Sequence, residues 1–231
     1  MTDAIGTDLP VIVVCGLAFE AQIAAGLGVV TVCGPGPRSV ADALDALLAA
    51  HAAPNQAYAG ILSFGCAGGL DPALRPGDCV IGTGVRAASG LLAADAAWTR
   101  ALAARLPCAT QGILAGLDAP LGAREDKARA WEEGARTVDM ESHAAAAAAR
   151  RHGLPFAALR VVLDPAWRSL PPSALAAMRE DGGTDLPALL RSLAGRPGDV
   201  VPLIALAVDA WHARRGLRRA RAALSARAYL P

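Results

Sequence analysis

Short apolar runs alternate with longer stretches of helical spacing along this chain. Residues 10–17 (Pro-Val-Ile-Val-Val-Cys-Gly-Leu) are continuous, rich in β-branched side chains and closed by glycine, which predicts a buried first strand. Residues 19–27 then predict a helix ending near Gly26 or Gly28, and residues 29–33 a second strand closed by Gly34-Pro35-Gly36-Pro37. Between 39 and 53 the apolar positions 40, 43, 44, 47 and 48 fall on one helix face. Further strands are predicted at 59–64, 79–82, 111–117 and 156–163. Further helices are predicted at 94–105, 123–134, 140–152, 173–180, 186–194 and 199–227. Strands that alternate with helices predict an α/β fold with a mixed, mostly parallel sheet flanked by helices. The proline and glycine clusters, Leu170-Pro171-Pro172 and Asp181-Gly182-Gly183 among them, are short enough to be loops. Residues 1–231 therefore read as one domain, with 198–231 as an apolar, then arginine-rich, helical C-terminus.

Composition narrows the function classes. The net charge of +1 gives no global field for nucleic acid. Its distribution is uneven: Lys127 is the only lysine, and Arg214, Arg215, Arg218, Arg219, Arg221 and Arg227 follow Asp209 with no acid among them. The cysteines at 15, 33, 66, 79 and 108 have neither CxxC nor Cys/His spacing and so predict no metal site; no cofactor is expected. An odd cysteine count and no basic leader predict a reducing cytoplasm. No stretch of about 18 uncharged apolar residues predicts a spanning helix.

Four places could carry chemistry. Gly65-Cys66-Ala67-Gly68-Gly69-Leu70 follows the third strand, where glycines let a ligand approach the backbone closely. The spacing is not a dinucleotide fingerprint, because Leu70-Asp71-Pro72 opens no long helix; a plain tight turn is the alternative. Val138-Asp139-Met140-Glu141-Ser142 precedes an alanine-rich helix closed by Arg150, Arg151, His152 and Gly153. Acids first and bases last suit the helix dipole, so Asp139 as a cap and Glu141 as a first-turn acid form the bland reading. In the other reading, Glu141 points into a cleft, where its carboxylate can accept two hydrogen bonds at once from a polar ligand. Asp164 ends an apolar run just before Pro165, either as a turn residue or as an acid in a crevice at a strand end. Glu20 follows the first strand, where a solvated helix-start acid is the alternative.

These motifs, with Ser63-Phe64 ahead of the glycines and Pro76-Gly77-Asp78 after them, resemble the nucleoside phosphorylase and MTA/SAH nucleosidase superfamily. The resemblance implies a phosphorylase/hydrolase-like fold that cleaves the N-glycosidic bond of a purine nucleoside. It implies that Met140 and Glu141 hold the ribose, that Asp164 protonates the purine N7 and that Glu20 activates water. Gly65, Cys66, Ala67 and Gly68 would form the floor, and Ala119, Pro120 and Leu121 would line the base pocket. Arg38, after a glycine-rich turn, would mark a phosphate site if inorganic phosphate is the co-substrate. One departure is Leu163, where the superfamily commonly has serine before the acid. Arg160-Val161-Val162-Leu163-Asp164-Pro165, then Leu170-Pro171-Pro172, Asp181-Gly182 and the apolar C-terminus resemble the hopanoid-associated phosphorylase branch, which implies a lipid-linked adenine nucleoside, adenosylhopane, as substrate. The superfamily further implies a homo-oligomer.

The C-terminal helix has two readings. It is a core helix with a solvated basic face, or an interfacial one with Trp211 at the acyl boundary and arginines on headgroups. The rivals to an enzyme are a non-catalytic nucleoside- or lipid-binding protein on the same scaffold and, more weakly, a Rossmann oxidoreductase.

Overall fold

The computed structural model describes residues 9–26, 28–34, 36–50, 58–177 and 185–224. Among these residues eight strands form the sheet: β1 (Val11–Cys15), β2 (Val29–Cys33), β3 (Gly60–Gly69), β4 (Cys79–Ala87), β5 (Gly90–Ala93), β6 (Thr110–Gly116), β7 (Ala135–Asp139) and β8 (Phe156–Val162). Among the same residues eight α-helices accompany them: α1 (Ala18–Ala24), α2 (Pro37–Ala50), α3 (Ala96–Arg105), α4 (Arg124–Glu132), α5 (Ser142–His152), α6 (Pro172–Ala176), α7 (Leu186–Gly195) and α8 (Val200–Ala223). β1 and β8 are buried along their whole length, as strands covered on both faces should be.

The sheet is mixed and mostly parallel. β3 pairs parallel with β1 and β8, and antiparallel with β7. β8 also pairs with β4, β4 with β6, and β6 with β7. Five strands (β3, β7, β6, β4 and β8) therefore close into a ring, rather than the open sheet that alternation alone suggests. β1 and β2 extend from one side of it, and β5 from the other.

Helices cover both faces. Val40 and Leu44 of α2 and the alanines of α5 share one core cluster. Trp98 and Leu102 of α3, with Ala213, Leu217 and Ala220 of α8, share the other. The alanines and glycines set the distance of approach. A Cβ on Gly216 would lie 2.5 Å from the carbonyl oxygen of Gly77, so α8 can sit this close to the ring only with glycine there.

Three elements depart from the sequence reading. The glycine cluster is not a loop after the third strand but its second half, paired through Gly68 and Gly69 with Val138 and Thr137 of β7. β7 itself was not expected, because Arg136 and Thr137 interrupt its apolar run. β4 runs on to Ala87 and turns back into β5, a hairpin hidden by the small residues at its turn. The predicted helix ends at 51–53, 178–180 and 225–227 lie outside the described residues.

Candidate active site

A cavity of about 1540 Å³ opens where β1, β3, β6 and β7 end and the chain leaves β8. Glu20, Cys66, Ala67, Gly68, Met140, Glu141 and Asp164 all line it, as do Arg38, Ala119, Pro120 and Leu121 from the loops around its rim. Gly65 sits one layer back. A Cβ there would lie 2.6 Å from Glu20 Oε2 and 2.8 Å from Arg160 Nη1, so glycine makes room for those two side chains.

Glu20 stands in the first turn of α1 but is not a solvated acid: it is buried. Its Oε2 accepts from the backbone N–H groups of Gly16 and Leu17, both at 3.0 Å, and its Oε1 from that of Cys66 at 2.7 Å. Burial pushes its carboxyl above the ordinary range, while the Arg160 charge and these N–H donors oppose the rise.

Glu141 occupies the N-cap position of α5, yet its side chain turns away from that helix. Its Oε1 accepts from the Gly36 N–H at 3.1 Å, and its Oε2 lies 3.8 Å from Arg160. Asp139 does the capping instead, its Oδ1 accepting from the N–H groups of Glu141 at 3.0 Å and Ser142 at 2.7 Å. Burial lifts Glu141 to about 7, Arg160 opposing and Asp139 adding to the rise. A Cβ on Gly16 would lie 2.8 Å from Glu141 Oε1, so Gly16 is in contact with both Glu20 and Glu141.

Two cations missed by the sequence reading hold these acids. Arg160 lies inside β8, fully buried, and binds Ser63 Oγ at 2.5 Å, Ser142 Oγ at 3.0 Å and Asp139 Oδ1 at 3.1 Å. Its signal was a lone arginine in an otherwise apolar strand, which must find partners to be buried at all. Lys127, the chain's only lysine, reaches from α4 to form an ion pair with Asp164 Oδ2. Asp164 is thus held by a side chain, not merely by a turn. Burial raises its carboxyl above the ordinary range, and Lys127 pulls against that.

The acids are spaced along β3. Gly65 lies against Glu20, and Gly68 lies 3.4 Å, measured from an ideal Cβ, from Asp164 Oδ2. His143 also lines the cavity, with its Nε2 3.0 Å from Asp118 Oδ1. Arg38, Ser39 and Arg151 line the side nearest α2. Beyond Asp164 the lining becomes apolar: Leu170, Ala174, Leu189, Leu193, Leu203 and Ala207 extend the cavity between α6, α7 and α8.

Residues 5–192 match the family model described as the phosphorylase superfamily. Curated protein sequences yield no match. Among solved structures, the chain is similar to the MTA/SAH nucleosidase of Colwellia psychrerythraea in complex with adenine. The identity is 20% and the TM-score 0.58, over 68% of this chain and 83% of that one. The corresponding enzyme of Neisseria meningitidis, in complex with methylthio-immucillin-A, matches at 22% identity and a TM-score of 0.58, over 68% and 86%. The futalosine hydrolase of Helicobacter pylori matches at 13% identity and a TM-score of 0.62, over 93% and 97%. The shared fold is that of nucleosidases.

Proposed function

Because the chain belongs to the phosphorylase superfamily, we propose that it cleaves the N-glycosidic bond of an adenine nucleoside. The observation that carries this reading is the convergence of Glu20, Glu141 and Asp164 on one cavity. An adenine anion is a poor leaving group, so bond cleavage needs a proton at N7; Asp164 supplies it. Glu141 accepts from the ribose hydroxyls and Met140 covers the ring. Glu20 takes the proton of the attacking water. Its carboxylate already holds three backbone N–H bonds, which fix its orientation before substrate arrives.

Water is the nucleophile we favour, because a buried acid stands at Glu20. Phosphate is the alternative, and Arg38 at the rim is its best support. The two separate experimentally. Glu20→Gln is expected to lower the hydrolytic rate by about 10²- to 10⁴-fold, the usual contribution of a general base, and to leave phosphorolysis largely intact. Adenine release with and without phosphate reads both. An unchanged hydrolytic rate removes Glu20 from the mechanism.

The apolar extension between α6, α7 and α8 supports a nucleoside with a large apolar 5′ substituent, adenosylhopane being the case the branch resemblance suggests. The outer surface beside it fits such a substrate. Val201, Ile204, Val208 and Trp211 are exposed on one face of α8, and Leu186 and Leu190 are exposed on α7. Arg215, stacked on Trp211, continues the α8 face towards the arginine-rich end. Among the described residues no helix is long and apolar enough to cross a membrane. We propose that this face makes a peripheral membrane contact; a cytoplasmic location and a homo-oligomeric state are proposed only as the cysteine pattern and the superfamily resemblance, respectively, imply them. The protein is expected to cosediment with vesicles containing phosphatidylglycerol. Val201→Glu with Trp211→Glu should abolish that cosedimentation, and failure of the unaltered protein to bind removes the membrane contact.

A second reading, a nucleoside-binding protein without catalysis, draws on Leu163 in place of the usual serine. Adenosine binding without adenine release would favour it.

A further inference from the structure

We propose that Lys127 is a positioning residue for Asp164, clamping Oδ2 so that the carboxyl group meets the cavity in one orientation and in one range of pH. The inference rests on the reading of Asp164 as the acid.

The geometry is specific. An ammonium group has three donors. Lys127 Nζ donates to Asp164 Oδ2, to the Pro165 carbonyl at 3.1 Å and to the Arg168 carbonyl at 3.0 Å, so all three are used. They gather the side chain of one residue and the backbone of two others from the loop that follows β8. The loop and the acid are therefore set by one buried group. Lys127 is 0% exposed, although lysine is almost never fully buried unless paired. Its neighbours on α4, Asp126 and Arg129, pair with each other at the surface, so α4 turns this one charge inward.

The surrounding charges decide what the clamp does. Asp209 of α8 repels a charge on Asp164 and is itself ion-paired with Arg168 at 2.6 Å. Cys66 of β3 sits in the field of Asp164, and burial raises its thiol, which keeps it neutral. Lys127 is thus the cation in contact with the acid. Removing it leaves burial and Asp209 acting together, both favouring the protonated carboxyl.

The experiment compares kcat/KM for adenine release across pH in the unaltered protein, Lys127→Met, Lys127→Arg and Asp164→Asn, with folding followed by circular dichroism. The basic limb of such a profile reports the essential acid of the free enzyme. Lys127→Met is expected to move that limb upward by about one to three pH units, the usual influence of an adjacent opposite charge, and to lower kcat. Lys127→Arg, which keeps the charge but displaces it, is expected to lower kcat with the limb near its original place. A folded Lys127→Met with an unmoved limb overturns the proposal. If Lys127→Met does not fold, the arginine variant decides: an unchanged kcat overturns the proposal, and a lowered kcat with an unmoved limb supports it. Activity in Asp164→Asn would instead overturn the underlying reading of the acid.

Discussion

Asp164→Asn is expected to lower kcat/KM for adenine release by about 10²- to 10⁴-fold, the usual contribution of general acid catalysis. An amide cannot give up a proton to N7, so the adenine would have to leave as an anion. The same change also acts on the fold. It strands the buried Lys127 ammonium beside a neutral side chain, and breaking a buried pair in this way costs about 3–5 kcal/mol. A lower melting temperature is therefore part of the expected result. Activity should be measured well below that temperature, with circular dichroism confirming the fold. A folded Asp164→Asn variant of undiminished activity would remove Asp164 as the acid.

Arg160→Met is likewise expected to cost about 3–5 kcal/mol of stability, because it leaves buried carboxylates without their cation. Asp139 loses its ion pair, Glu141 and Glu20 lose the charge that opposes their burial, and Ser63 and Ser142 lose a shared donor. The loss should depend on pH. Glu141 is raised from 4.5 to about 7, so between those values the folded state binds more protons than the unfolded one. Stability contributed by that proton is complete below about 4.5 and declines as pH rises through about 7. Without Arg160 the folded value rises further and the decline extends to higher pH. Denaturant unfolding at pH 5 and pH 8 should therefore show the larger deficit at pH 8. Equal deficits at both pH values would mean that Arg160 does not govern the ionisation of these acids.

The order of elements was legible because apolar runs and helical spacing are local signals. β1, β2 and β8 follow from short runs rich in β-branched residues and alanine, interrupted only by Thr31 and Arg160. The closed ring was not legible, because β8 must pair with both β3 and β4, and no local pattern specifies two partners. β7 was hidden for a related reason: its pairing with the glycine end of β3 allows polar residues where an isolated strand would need apolar ones. The acids of the site stood out in motifs, but their partners did not. Asp164 is 37 residues from Lys127, Glu20 is 46 from Cys66, and Ser63 is 97 from Arg160. Such contacts are made only when distant segments meet in the folded sheet. A lone lysine and an arginine within an apolar strand are the two sequence signals that could have exposed them, since a buried charge requires a partner.

Adenine release by the unaltered protein tests the central claim most directly. The substrates are adenosylhopane and 5′-methylthioadenosine, each with and without phosphate. The account predicts adenine from adenosylhopane at the higher kcat/KM, independent of phosphate. Binding of either nucleoside with no adenine released from any of the four mixtures would contradict it.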